Sequence, residues 1–135
     1  MKVFISHSHE TKDLARQVGD ALRKNGWDVW HDEMVLPGQN PAEEIARELN
    51  ESEAMVVLLT PHALESTTVR REIDFALSNK NFSKRLIPVL VGLDEPGSSE
   101  KVPWIFRHMT VIKLPALGRQ EEGIERITQA LQAVA

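Results

Sequence analysis

The sequence predicts an α/β fold built on a mainly parallel sheet, and three observations favour this class. Short apolar runs rich in Val, Ile and Leu recur along the 135 residues, and segments with helical periodicity separate them. Two of the runs are continuously apolar, which is typical of central strands covered on both faces. About five strands and four or five helices match the flavodoxin-like arrangement, with strand order 2-1-3-4-5 and helices on both faces.

Five strands are predicted from the apolar runs. In chain order they are Lys2 to Ser6, Asp28 to His31, Ala54 to Thr60, Arg85 to Val91 and Thr110 to Lys113. The third and fourth contain the two continuous apolar stretches, so we expect them in the middle of the sheet.

The first two helices are indicated by periodicity and by end signals. Apolar residues at spacing four predict helix one, and Gly26 follows them as a C-terminal signal. Helix two has the strongest start in the chain, the segment Asn40-Pro41-Ala42-Glu43. Asn is a preferred N-cap, Pro suits the first helical position, and Glu at the third position completes the signal.

The remaining helices follow from apolar stripes. A third helix begins after Ser66 or Thr67, and a last helix covers Gln120 to Val134. Between them we expect a long surface loop from Gly92 to Lys101 and a short irregular helix from Val102 to His108.

Composition predicts one domain over residues 1–135, which is compatible with being the N-terminal part of a larger protein. The absence of Cys excludes disulfide scaffolds, thiol nucleophiles and cysteine zinc sites. A formal net charge of -4 gives no basic footprint, so neither nucleic acid nor a membrane is an expected partner. The apolar N-terminal run is too short for a signal peptide, and we expect a cytoplasmic protein.

The ligand site of such a fold is expected where the strand order reverses, beyond the carboxyl ends of strands one and three. This rule selects the loop Ser6-His7-Ser8-His9 and the loop from Thr60 to Ser66, both dense in small polar side chains. On the helix that follows, Glu72 falls beside the apolar stripe, whereas Arg71 points away from it. Glu72 is therefore interpreted either as lining a half-buried pocket or as a solvated helix residue at the core boundary.

Other chemistries find little support in the motifs. The pair His7-x-His9 suggests a metal, but His31, His62 and His108 lie on other predicted elements and no Cys is near. No metal site is therefore expected. The sequence also has no G-x-S-x-G, G-x-G-x-x-G or Walker motif, which argues against a serine hydrolase, a redox use of NAD and phosphoryl transfer.

Four motifs in order resemble the TIR (Toll/interleukin-1 receptor) domain family, and most closely its bacterial members. They are Phe4-Ile5-Ser6-His7, Leu36-Pro37-Gly38, Val57-Leu58-Leu59-Thr60-Pro61 and Val69-Arg70-Arg71-Glu72-Ile73. The resemblance covers essentially the whole chain and implies one of two functions. One is cleavage of NAD⁺ at the nicotinamide-ribose bond in antiphage defence signalling, with Glu72 as the catalytic residue. The other is a scaffold without enzymatic activity that acts by self-association.

The resemblance and the switch-point rule together give the expected site. NAD⁺ is the substrate, so no cofactor is expected. The substrate-binding residues are predicted to be Ser6, His7, Ser8, Leu36, Gly38, Thr68 and Trp104. Several NAD⁺-cleaving relatives have Trp four residues before the glutamate where this chain has Thr68, so Trp104 or Trp30 is expected to supply the stacking surface. Core packing remains the alternative for Trp27, Trp30 and Trp104.

The loop from Asp32 to Asn40 resembles the family loop that contacts a neighbouring domain and borders the pocket. The apolar segment Met34-Val35-Leu36 in this otherwise polar loop predicts contact with other TIR domains, and a homo-oligomer when active. The alternative interpretation is a loop that packs its apolar residues against its own domain.

Overall fold

The computed structural model describes residues 2–79, 85–92, 106, 111–114 and 121–134. Five strands form one sheet, and each paired strand is parallel to its neighbour, in the order β2-β1-β3-β4-β5. The strands are β1 (Lys2–Ser6), β2 (Asp28–Trp30), β3 (Ala54–Leu59), β4 (Leu86–Val91) and β5 (Ile112–Leu114). The predicted fold class and strand order are confirmed.

Four α-helices are described: α1 (Lys12–Lys24), α2 (Pro41–Glu51), α3 (Thr67–Ser78) and α4 (Glu121–Val134). The predicted start of α2 is confirmed, because the Asn40 side-chain oxygen accepts hydrogen bonds from the backbone N–H groups of Ala42 and Glu43, at 3.0 and 3.3 Å. Beyond the end of α1, Gly26 has a φ of 87°, a left-handed conformation that glycine adopts without strain.

Several predicted boundaries shift by one or two residues. Strand β2 ends at Trp30 because the chain turns at once, with the Met34 N–H donating to the His31 carbonyl at 2.9 Å. Strand β3 ends before Thr60, whose hydroxyl accepts a hydrogen bond from the Ala63 N–H at 3.0 Å. The loop predicted from Gly92 to Lys101 and the helix predicted from Val102 to His108 lie outside the described residues, apart from Gly92 and the buried Phe106.

Two apolar clusters fill the two faces of the sheet. One cluster joins alternate strand residues such as Val3 and Ile5 to α1 and α4, and the other joins Phe4 and its counterparts to α2 and α3. All six residues of β3 and all six of β4 are buried, as their continuous apolar runs predict. Trp30 packs on Phe4 with ring centroids 5.3 Å apart, so its core role is confirmed.

Trp27 is partly buried and packs against the cluster on the α1 and α4 face. Within the described ranges, no helix combines the length with the apolar character that crossing a bilayer requires.

Candidate active site

Glu72 on α3 and Ser6 at the end of β1 form a buried polar pair. Helix α3 begins at a Ser66 N-cap, whose hydroxyl accepts from the Val69 N–H at 3.3 Å. This start places Glu72 a turn and a half into the helix, facing the carboxyl end of the sheet. The Ser6 hydroxyl donates a hydrogen bond to Oε1 of Glu72 at 2.6 Å, and the two residues are only 1% and 4% exposed. The solvated interpretation of Glu72 is therefore wrong.

The environment of Glu72 changes its proton affinity. Burial raises the pKa of its carboxyl from 4.5 to about 7, although the hydrogen bond from Ser6 lowers it. The Asp32 carboxylate adds to the rise, and His7 opposes it. A buried carboxyl with a pKa near neutrality is characteristic of functional sites, because a small change in surroundings or pH switches its charge.

Glu72 lines a cavity of about 450 Å³ between α2 and α3. The lining residues are Pro41, Ala42, Ile45, Ala46, Leu49, Thr68, Arg71, Glu72 and Phe75. The wall is mostly apolar, and Glu72 and Arg71 are its only charged side chains within the described part of the chain. This is the usual character of a small-molecule site, in which a few polar groups orient a ligand held by apolar surface.

The predicted substrate-binding residues divide between this cavity and other places. Thr68 lines the cavity. Ser6 is not a lining residue, but it donates a hydrogen bond to Glu72, which is one. Ser8 is another predicted substrate-binding residue, but it does not line this cavity, and its hydroxyl donates to Glu10 at 3.5 Å. The reason is that the chain turns into a 3-10 helix at His9, which directs Ser8 away from the end of β1. Trp104 lies outside the described residues.

The loop from Asp32 to Asn40 does not bring Leu36 or Gly38 to the cavity wall, within the part of the chain that the structure describes. Leu36 is 63% exposed, and Gly38 occupies a tight turn with a φ of 88°. Val35 is partly buried against the cluster on the α2 and α3 face, so the interpretation that the loop packs against its own domain holds for this residue. The loop packs at Val35 and exposes Leu36.

Sequence reasoning missed the α2 side of the cavity and, on α3, the two lining residues Arg71 and Phe75. Arg71 was expected to point away, because only the apolar stripe of α3 was taken to face inward. The cavity instead meets α3 along Thr68, Arg71, Glu72 and Phe75, whose spacing of three, one and three marks one side of a helix. The sequence contained this signal, because Arg71 and Phe75 lie three and seven residues after Thr68, on the same side of the helix. Phe75 is the aromatic side chain on this wall.

A second cluster of titratable groups lies where β1 and β2 end. Nε2 of His7 is 3.0 Å from Oδ1 of Asp32, and the rings of His7 and His31 meet edge to face with centroids 5.6 Å apart. Burial lowers the pKa of His7, but Asp32 and the Ser8 carbonyl raise it more, so it lies above its usual value. Burial and the nearby His7 lower the pKa of His31.

Two of the histidines that the sequence places on different elements lie side by side in the fold, with ring centroids 5.6 Å apart. Sequence reasoning separated His7 from His31 because they follow different strands, yet parallel neighbouring strands end at the same edge of the sheet. His9 does not join them, since its ring is exposed and lies 4.0 Å from Glu33.

Comparison with known proteins shows the following similarities. A family model described as TIR domain matches residues 3–128. Over 89 residues, 64% of the chain, the sequence is 30% identical to the 2' cyclic ADP-D-ribose synthase BtTIR of Bacteroides thetaiotaomicron, covering 31% of that protein. Over 102 residues, 71% of the chain, it is 32% identical to the NAD(+) hydrolase PdTIR of Paracoccus denitrificans, covering 34% of that protein. The chain thus spans about a third of the length of each relative.

Among solved structures, the chain is similar to a metazoan TIR-STING receptor from C. gigas, with a TM-score of 0.73 and 23% identity. That match covers 96% of this chain and 38% of the receptor chain, and it shows a shared fold.

Proposed function

The chain belongs to the TIR domain family, and we propose that it cleaves NAD⁺ at the nicotinamide-ribose bond. The observation that carries the proposal is the Glu72 carboxylate, held by Ser6 and buried in the wall of an apolar cavity. Two relatives with similar sequences are named an NAD(+) hydrolase and a cyclic ADP-ribose synthase, which supports the same chemistry here.

The reaction needs a fixed negative charge more than it needs an acid. As the bond between ribose C1' and the pyridinium nitrogen breaks, its electron pair moves to that nitrogen and neutral nicotinamide leaves. Because the leaving ring is already cationic, no proton has to be supplied. The ribose becomes oxocarbenium-like, and an ionised Glu72 in a poorly hydrated cavity stabilises that charge. Water then captures C1' to give ADP-ribose and a proton, or a hydroxyl of the same molecule captures it to give a cyclic product.

Phe75 and Arg71 give the cavity an aromatic surface and a positive charge, neither of which Thr68 provides. Thr68 is too small to stack on a flat ring, but Phe75 lies on the same wall, about two helical turns further along α3. Its ring offers an apolar face for nicotinamide or adenine. The guanidinium of Arg71 offers paired donors for the substrate's phosphate oxygens. The cavity thus combines an aromatic surface, a cation and a buried carboxylate.

Assembly through the loop from Asp32 to Asn40 is the second part of the proposal. Leu36 and Met34, 63% and 39% exposed, are the exposed large hydrophobic residues of the described chain. Two such side chains in one loop favour contact with another copy of the domain. We propose a homo-oligomer as the active form, acting in cytoplasmic antiphage defence signalling. A scaffold that assembles in the same way without cleaving NAD⁺ is the alternative function.

Cleavage is tested by incubating concentrated protein with NAD⁺ and measuring free nicotinamide by chromatography. The matched variants are Glu72→Gln, which keeps shape and removes charge, and Asp74→Asn, which makes the same change on the exposed side of α3. We expect release by the wild type and by Asp74→Asn, and less than a tenth of it by Glu72→Gln. No release by the wild type at any concentration would favour the scaffold.

Assembly is tested by measuring specific activity from about 1 to 100 µM protein, the range in which weak interfaces form. We expect it to rise with concentration, and to stay low when Leu36→Asp is combined with Gly38→Pro. Proline cannot adopt the positive φ of Gly38, so the loop must change shape. A flat specific activity with a fully active loop variant would show that a single domain is sufficient.

A further inference from the structure

The cluster of His7, His31 and Asp32 contains buried ring nitrogens whose hydrogen-bonding capacity is not satisfied in the usual way. Nδ1 of His31 is buried without a hydrogen-bond partner within the described part of the chain, and the equally buried Nε2 of His7 faces the Asp32 carboxylate at 3.0 Å. His7 and His31 are 5% and 4% exposed, so bulk water does not compensate for the missing bonds. A buried polar atom without a partner costs about 1–3 kcal/mol, and such atoms therefore point to a ligand.

The hydrogen-bond pattern of His7 defines what that ligand must be. Nδ1 of His7 lies 2.7 Å from the carbonyl oxygen of Ser8. A carbonyl oxygen only accepts, so Nδ1 carries a hydrogen and the neutral ring keeps its lone pair on Nε2. That lone pair faces Oδ1 of Asp32 at 3.0 Å, which is a second acceptor. Two acceptors at this distance need a positive species between them.

A proton would satisfy His7 and Asp32 but would leave His31 unused. A metal ion satisfies all three, because one nitrogen of each histidine and one oxygen of Asp32 lie within 4.8 Å of one another. We propose that His7, His31 and Asp32 form a binding site for a divalent transition-metal ion, of which Zn²⁺ fits the donors best. The inference goes beyond the proposed cleavage of NAD⁺ and does not depend on it.

The donor set selects the class of ion. Two imidazole nitrogens and one carboxylate oxygen suit Zn²⁺ and its neighbours in the first transition row, whereas Mg²⁺ and Ca²⁺ prefer oxygen ligands. Three protein ligands leave a fourth position for water. Donor atoms of tetrahedral zinc stand about 3.3 Å apart. The 3.0 Å separation between His7 and Asp32 must therefore open slightly, and separations nearer to the 4.8 Å limit of the cluster must shorten. Asp32 can make this adjustment, since its side chain is 43% exposed.

The fold holds the two histidines rigidly and the carboxylate loosely. Phe4 of β1 pairs with Trp30 of β2, so His7 and His31 follow neighbouring parallel strands at one edge of the sheet. The carbonyl of Ser8 orients the His7 ring, as a backbone acceptor commonly orients a zinc-bound histidine. Asp32 begins the loop that runs to Asn40, so a bound ion would tie the base of that loop to the sheet.

The surrounding charges permit a divalent ion. The carboxylate of Glu33 interacts favourably with both rings, and the guanidinium of Arg23 acts in the opposite direction on His31. The guanidinium of Arg23 donates hydrogen bonds to Asp20, at 3.4 Å, and to the Val29 carbonyl, at 3.3 Å. When both imidazoles are neutral, as metal binding requires, the carboxylates of Asp32 and Glu33 outnumber the guanidinium of Arg23, and the site has a net negative charge before the ion binds.

The test is calorimetric titration of chelator-treated protein, without a histidine tag and without NAD⁺, using Zn²⁺ and in a parallel run Mg²⁺. The variants are His31→Gln, Asp32→Asn and, as a matched control, His62→Gln at an exposed position away from the cluster. Circular dichroism of the metal-free proteins establishes that each variant is folded. Asp32→Asn keeps the test valid if His31→Gln fails to fold, because Asp32 is exposed.

We expect one Zn²⁺ per chain with a Kd below about 10 µM, and no measurable binding of Mg²⁺ in the parallel titration. His31→Gln and Asp32→Asn should each weaken binding at least tenfold, whereas His62→Gln should leave it unchanged. Absence of a one-to-one site, or equal affinity in the folded Asp32→Asn variant, would show that a proton alone joins His7 to Asp32 and would overturn the proposal.

Discussion

Glu72→Gln should make the protein more stable, and the gain should depend on pH. In the folded chain the Glu72 carboxyl has a pKa of about 7, against 4.5 as its ordinary value. Between these values the folded state holds a proton that the unfolded state has released, so wild-type stability falls as pH rises through this window. Glutamine cannot ionise, and its side-chain oxygen still accepts the hydrogen bond from Ser6.

The size of the effect follows from the two pKa values. The unfolding free energy of the wild type should be lower than that of the Glu72→Gln variant by about 1 kcal/mol at pH 5 and by about 3 kcal/mol at pH 8.5. Urea unfolding at both pH values measures this difference in unfolding free energy. Equal m-values for the two proteins would show that the substitution changes stability alone. Asp74→Asn, on the exposed side of the same helix, should show no such change. A gap for Glu72→Gln that is the same at both pH values would refute the assignment of Glu72 as a desolvated carboxyl.

Three further predictions follow from the same geometry. Ser6→Ala removes the hydrogen bond that favours the ionised form of Glu72, so the pH at half-maximal cleavage should move above about 7, whereas Ser8→Ala should leave it unchanged. Phe75→Ala should raise the KM for NAD⁺ several-fold, and Phe75→Tyr should not, because an aromatic ring keeps the stacking face. Asn40→Ala removes the cap of α2 and should lower the unfolding free energy by about 1 kcal/mol.

The fold was predictable because its signals are local. The start of α2 is specified by Asn40, Pro41 and Glu43, and the two fully buried strands are visible as continuous apolar runs. The parallel strand order then follows from the alternation of strands with helices. The position of Glu72 at the switch point was also predictable from the sequence. Its burial was not, because helical periodicity distinguishes the apolar face of a helix from its polar face but does not tell how closely a neighbouring helix packs.

The rest of the site depends on contacts between distant segments. His7 and His31 are adjacent only because β1 pairs with β2, and Phe75 is a cavity residue only because α2 packs opposite α3. Ser8 shows the reverse case, in which a local turn carries a side chain away from the place that its sequence neighbour Ser6 occupies. Sequence patterns indicate which face of an element is apolar, but the angle between elements decides which side chains meet.

The most direct test of Glu72 as the charged catalytic group is the rate of nicotinamide release between pH 5.5 and 9, measured for the wild type and for Glu72→Gln at the same protein concentration. The wild-type rate should rise with pH and level off, with a midpoint near 7, so that pH 6 gives about a tenth of the maximum. Glu72→Gln should stay below a tenth of the wild-type maximum at every pH, a barrier increase of at least about 1.4 kcal/mol. A variant that keeps more activity than this, or a wild-type rate that does not change with pH, would contradict the assignment.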